Sequence, residues 1–135
     1  MKITVVQPPY YAGEKPDETI ARFLLEQMKQ AAAGLIVLPE YSNAGGLSEP
    51  EAILAAVPRA EAMLAAAANT AREKCAFVAI NVLENRCGKL KNSTYLFDRN
   101  GEVADGNASV GGTHFRVAGQ IANQINLIHT LCFPL

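Results

Sequence analysis

The feature that most constrains this chain is a run of four apolar residues, Leu35-Ile36-Val37-Leu38, closed by Pro39-Glu40-Tyr41. Four residues are too few for a helix, and the run lacks the alternation of a half-exposed strand. It therefore predicts a strand buried on both faces. Before it, Ile20, Phe23, Leu24, Met28 and Ala31 recur at helical spacing and predict a helix over 17–33. Pro16 and Asp17 suit its start, Glu18 supports its positive dipole end, and Gly34 supplies the stop. Lys2-Ile3-Thr4-Val5-Val6-Gln7 reads as an opening strand halted by Pro8-Pro9, with a loop over 10–15.

After the apolar run comes a polar, glycine-containing loop, 41–47. Ser48 and Glu51 then form a candidate capping box. Pro58 divides the next stretch into helices over 49–57 and 58–74, and the alanines at 65–68 suit close packing on a sheet. Strands are expected at 76–80, 93–97 and 102–104, with turns at 85–88 and 98–101. Strand, helix, strand, helices and a closing meander make an α/β pattern, with helices 17–33 and 58–74 on one face of a mainly parallel sheet. Beyond Asp105 the character changes: residues 105–135 hold two charged side chains, Asp105 and Arg116, and no element is assigned between Asp105 and Val117. Ile121, Ile125 and Ile128 form a helical stripe best explained by packing. We divide the chain into 1–104, the α/β part, and 105–135, an atypical tail read as frame-shifted or loosely held.

Composition narrows the function classes. A formal net charge of −1 gives no electrostatic reason to expect nucleic acid or an anionic membrane as partner. The longest apolar-plus-glycine stretch, Ala31 to Leu38, is far short of a bilayer span, and the N-terminal apolar run is too short for a secretion signal. Three cysteines (75, 87 and 132) and two histidines (114 and 129) offer no zinc-ligand spacing, so no metal is expected. An odd thiol count fits a reducing cytoplasm. The opening strand runs into Pro8-Pro9 instead of a glycine-rich loop, which argues against a flavodoxin-like phosphate site.

One residue stands out for chemistry. Glu40 follows the apolar strand directly, and in α/β folds ligands collect at the carboxyl ends of strands. A carboxylate there is placed to act as a general base, and partial burial beside Pro39 and Tyr41 would strengthen it. Tyr41 and Asn43 are candidates to line the entrance beside it. Cys75, expected to open a strand, and Cys87, expected in a turn, read as structural, and Lys89 and Lys91 as solvated.

Val5-Val6-Gln7, then Leu35-Ile36-Val37-Leu38-Pro39-Glu40-Tyr41, then Gly88-Lys89-Leu90-Lys91-Asn92-Ser93 running into Asp98-Arg99-Asn100-Gly101, resemble in order the nitrilase (carbon–nitrogen hydrolase) superfamily over residues 1–104. The resemblance implies the N-terminal half of an α-β-β-α sandwich, assembly into oligomers, and hydrolysis of amides, nitriles or carbamoyl compounds. It further implies a Glu-Lys-Cys set with no metal or organic cofactor. In that chemistry the glutamate takes the thiol proton, the thiolate attacks carbon, and the lysine stabilises the negative charge that develops. Glu40 matches the glutamate. No lysine follows Lys91, Gly112 stands in the lysine's place before Thr113-His114-Phe115, and Cys132 lacks an Ile-Cys-Tyr-like setting. Two readings result: a part of a carbon–nitrogen hydrolase, or a truncated non-catalytic remnant able at most to associate with other subunits. Either leaves an apolar sheet face to cover, so self-association is expected.

Overall fold

The computed structural model describes residues 1–8, 17–32 and 34–109. Along the chain these form β1 (Ile3–Val5), α1 (Asp17–Gln30), β2 (Leu35–Val37), α2 (Pro50–Ala56), α3 (Arg59–Lys74), β3 (Phe77–Arg86), β4 (Lys89–Phe97) and β5 (Val103–Ser109). The expected loop at 10–15, Pro16 at the helix start and the Ile121–Ile128 stripe lie outside the described residues.

The strands make one sheet in the order β1-β2-β3-β4-β5. β1, β2 and β3 run parallel, whereas β3, β4 and β5 pair antiparallel, so the sheet is mixed and not mainly parallel as the sequence suggested. The reason is the turn after Arg86. Cys87 and Gly88 have φ of 51° and 76°, the signs of a type I′ turn, and a two-residue loop of that hand joins only antiparallel neighbours. The strands on either side also outrun their expected bounds: β3 continues to Arg86 and β4 begins at Lys89. Polar residues such as Asn81, Glu84 and Asn92 interrupt the apolar pattern there, but an antiparallel ladder accepts polar side chains on a solvated face. β5 likewise passes the expected end at 104 and reaches Ser109, paired with Asn92. Its backbone bonds to β4 need no apolar side chains, which is why the sequence pattern missed it.

α1 and α3 pack on one face. Leu24, Met28, Ile36, Met63, Val78, Ile80 and Val82 are fully buried between helices and sheet, and each large side chain so buried contributes about 1.5–3 kcal/mol. α3 presents Ala60, Ala67 and Ala71 beside Met63, which lets it lie close to the strands. Lys74 Nζ donates to the carbonyl of Ala31 (3.1 Å), joining the ends of the two helices. On the opposite face the register aligns Ile3, Leu35 and Phe77 in one row and Val5, Val37, Ala79 and Leu96 in the next. The apolar run is therefore two-sided, but unequally. Ile36 and Leu38 are buried, whereas Leu35 and Val37 are half-buried, contrary to the expectation of full burial on both faces.

Several local signals do other work than expected. The Ser48–Glu51 capping box does not form; α2 starts at Pro50 after Glu49 without a side-chain cap, because proline's fixed φ already suits a first turn. Cys75 does not open a strand. It closes α3 in the left-handed region (φ 49°), and Ala76 N–H returns to the Ala71 carbonyl (3.0 Å), as in a Schellman closure. In the β4–β5 turn, Asp98 Oδ1 accepts the N–H groups of Asn100 (2.8 Å) and Glu102 (3.0 Å). The Glu102 N–H foremost, then Asn100, holds the Asp98 carboxyl below its usual range. Gly34 is not the helix stop either, since α1 ends at Gln30. At φ 134°, its missing Cβ would stand 2.0 Å from the Lys2 carbonyl oxygen, which accepts Leu35 N–H at 3.0 Å. Glycine there lets β2 enter the sheet beside β1.

Gly88 has a positive φ but open space where a Cβ would go. We expect Gly88→Ala to cost about 1–2 kcal/mol, the left-handed penalty alone. Gly34→Ala should cost about 3 kcal/mol or more, since two strands must separate. Urea midpoints of the two variants check the order, and an equal loss would contradict the steric argument.

Candidate functional site

β2 ends at Val37, but β3 continues for several residues past it, and its backbone groups on that side still need partners. The segment after β2 supplies them one by one. Leu38 N–H bonds to the Ala79 carbonyl (2.9 Å) and Ser42 N–H to the Asn81 carbonyl (2.9 Å). Asn43 then takes the place of a strand residue with its side chain: Nδ2 donates to the Leu83 carbonyl (2.8 Å) and Oδ1 accepts Leu83 N–H (2.9 Å). The same Nδ2 donates to the Ala56 carbonyl at the end of α2 (3.1 Å). Asn43 is fully buried, so it pins the loop and does not line an entrance.

This lacing forces a sharp reversal at Glu40 and Tyr41. Tyr41 sits at φ 53°, unusual for a residue with a side chain, and its N–H donates to Asn81 Oδ1 (2.7 Å). Ser42 Oγ closes the turn onto the Pro39 carbonyl (2.7 Å), and Ala44 N–H returns to the Tyr41 carbonyl (2.8 Å). Glu40 is thereby held at the carboxyl end of β2, exposed and not half-buried as expected, because the turn lifts it off the sheet. Tyr41 beside it is 41% exposed. Glu40 Oε1 accepts Asn92 Nδ2 at 2.7 Å. Asn81 Nδ2 in turn donates to Asn92 Oδ1 (2.6 Å) and Thr94 Oγ1 (2.9 Å). The ladder pairs Asn81 with Thr94 and Leu83 with Asn92, which places this polar group on the face turned away from the helices.

The sequence singles out Glu40 and Tyr41 as candidates but gives no role to Asn81, Asn92 and Thr94. A signal was present: Asn81 is the one polar residue in the run from Phe77 to Leu83, and Asn92 lies within the Gly-Lys-Leu-x-Asn-Ser stretch. Neither described thiol joins the group. Cys75 closes α3 at the opposite end of the parallel strands, and Cys87 sits at the hairpin tip, both exposed and free. Cys132, His114 and His129 lie outside the described residues. Among the described residues, no three His, Cys, Asp or Glu side chains come together to hold a metal ion, and no helix is long and apolar enough to cross a membrane.

Two other features are separate from Glu40. A groove of about 710 Å³, lined by Leu54, Val57, Pro58, Leu64 and Leu90 among others, opens between the α2–α3 junction and the β3–β4 hairpin. Nearby, the Tyr95 hydroxyl donates to Glu84 (2.8 Å) and accepts from Arg86, whose Nε also meets Glu84 (2.7 Å). Burial, then the Glu84 carboxylate, pushes the Tyr95 hydroxyl up.

A helix layer on one face of a mixed five-stranded sheet, with a glutamate on the loop leaving β2, defines a mixed α/β protein of the nitrilase fold. The chain belongs to the carbon–nitrogen hydrolase family, whose model matches residues 2–129. Its fold is similar to that of a carbon–nitrogen hydrolase from Helicobacter pylori G27, with a TM-score of 0.56 and 23% identity over 78% of this chain and 38% of that one. A mutant of the Nesterenkonia AN1 amidase from the nitrilase superfamily aligns with a TM-score of 0.59 and 19% identity, over 83% of this chain and 44% of that one. The C. elegans NitFhit protein aligns with a TM-score of 0.60 and 13% identity, over 87% and 30%. The chain thus spans less than half the length of each of these structures. A search of curated proteins gives no match.

Asn43→Ala tests the lacing. It leaves the Leu83 N–H, the Leu83 carbonyl and the Ala56 carbonyl buried without this partner, and we expect a loss of about 2–4 kcal/mol. Denaturant melts check this; a loss under about 0.5 kcal/mol, the range of ordinary surface changes, would contradict it.

Proposed function

We propose that this chain carries the glutamate side of a carbon–nitrogen hydrolase site, acting on an amide, nitrile or carbamoyl carbon, with Glu40 as the proton acceptor and Tyr41 at the substrate entrance. The observation that supports it is a carboxylate held by the Asn92 amide on a turn at the carboxyl end of a parallel strand, in a chain of this family. Among the three substrate classes, amides are favoured by the neighbouring Nesterenkonia amidase, one structure of which shows acrylamide added to its active-site cysteine. In such a reaction the carboxylate removes the thiol proton, the thiolate attacks carbon, and the carboxylate later activates water to release the acid. No metal or organic cofactor enters this scheme.

The same reading accounts for a non-catalytic polypeptide. No lysine follows Lys91, and the described thiols stand away from Glu40. We therefore expect the 135-residue chain to release ammonia from simple amides and nitriles no faster than its Glu40→Gln variant. Glu40-dependent release that also disappears in Cys132→Ser would overturn this expectation and make Cys132 the nucleophile. A cytoplasmic location is part of the same proposal.

Association with further copies of the chain is our second proposal here. Among the described residues β1 is an edge strand, and its Ile3 and Val5 are 42% and 69% exposed, in line with half-buried Leu35, Val37 and Phe77. An apolar edge of this kind invites pairing. Sedimentation of the full chain should show species heavier than the monomer, reduced in Val5→Lys. A monomer at every concentration would contradict it.

A further inference from the structure

Between Tyr41 and Glu40 runs a chain of side-chain amides with a fixed direction. Its first group, the Tyr41 backbone N–H, can only donate, so the Asn81 amide must turn Oδ1 towards it (2.7 Å). That choice commits Asn81 Nδ2 to the other side, where it donates to Asn92 Oδ1 (2.6 Å) and Thr94 Oγ1 (2.9 Å). Asn92, having its oxygen occupied, must present Nδ2 outward, and there it donates to Glu40 Oε1 (2.7 Å). The last group is a carboxylate, which as an anion only accepts. Donor and acceptor thus alternate without conflict from a backbone N–H to the carboxylate, and each amide has one orientation that satisfies its neighbours.

We propose that Asn81 is a positioning residue for Glu40: it locks the strained Tyr41 backbone with its oxygen and, with its nitrogen, sets the Asn92 amide so that a donor faces the carboxylate. This rests on the reading of Glu40 as the proton acceptor and deepens it. Asn81 is 6% exposed and sits in the middle of β3, the most heavily paired strand, so the setting is transmitted from the rigid sheet to an exposed side chain. Neither Ser nor Asp at position 81 reproduces it. Aspartate keeps the acceptor for Tyr41 but places a second acceptor against Asn92 Oδ1. The Asn92 amide must then flip and turn its oxygen to Glu40.

Side-chain amide NMR on the full 135-residue chain tests this by a double-mutant comparison. With Asn81 present, Glu40→Gln should move the Asn92 side-chain N–H signal upfield, as a charge-assisted bond becomes a neutral one. In the Asn81→Asp background the same Glu40→Gln change should leave that signal in place. An equal shift in both backgrounds, or no shift in the parent chain, would overturn the proposal. Should Asn81→Asp fail to fold, Asn92→Leu removes the amide between Asn81 and Glu40, the donor to the carboxylate together with one acceptor of Asn81, and leaves Asn81 its bonds to Thr94 and to the Tyr41 N–H. It should move the Glu40 side-chain carboxyl carbon signal at neutral pH while the Tyr41 N–H signal stays, and an unmoved carboxyl signal would again overturn it. Hydrolysis plays no part in this readout, so a failure of Glu40 as proton acceptor and a failure of Asn81 as its positioning residue are seen separately.

Discussion

The structure depends on the backbone of β3 and its need for partners on both sides. One side is paired with β4 from Val78 opposite Phe97 to Arg86 opposite Lys89. The other meets β2 over Phe77, Val78 and Ala79 only. Beyond that point Asn81 and Leu83 would expose or bury unpaired groups, each costing about 1–3 kcal/mol when buried. The loop after β2 answers this with Ser42 N–H and the Asn43 side chain. A demand made by the strand ladder thus shapes the loop that carries Glu40.

That shaping has a cost and a return. Tyr41 must adopt a positive φ, a conformation disfavoured by about 1–2 kcal/mol for a residue with a side chain. The hydrogen bond from its N–H to Asn81, the Ser42 hydroxyl and the return of Ala44 N–H offset it. The result is a carboxylate whose position is set by the sheet and not by a freely moving loop. Because one amide donor already meets Glu40, part of the entropy of fixing its long side chain, up to about 1.5–2 kcal/mol, is lost on folding.

The two faces of the sheet have different work. Towards α1 and α3 it is closed by Leu24, Met28, Met63 and the small residues of α3. Towards the other side it carries an apolar band over β1, β2 and β3 and, at the carboxyl end of β2, the polar group around Glu40. The parallel half of the sheet gives the strand end at which Glu40 stands. The antiparallel half brings Asn92 and Thr94 back to meet it, which a wholly parallel sheet would not have done at so short a chain distance.

Much of the fold is legible in the residues alone. The 20-24-28 stripe of α1, the division of the next helices at Pro58 and the strand before Pro39-Glu40 arise from periodicity and from proline's chemistry, which act within a few residues. Glu40 stands out as a candidate in the sequence because a carboxylate just after an apolar strand is a local signal. The antiparallel return of β3, the length of β5 and the roles of Gly34, Asn43, Asn81 and Asn92 were not legible. Each is decided by a partner distant in sequence: Lys2 against Gly34, Leu83 against Asn43, Tyr41 against Asn81, Glu40 against Asn92. Sequence determined most of the elements and singled out the Glu40 carboxylate, because propensity and hydrophobic pattern are local. Only the tertiary structure decided what holds that carboxylate, because a hydrogen bond needs both partners in place and the sheet alone brings them together.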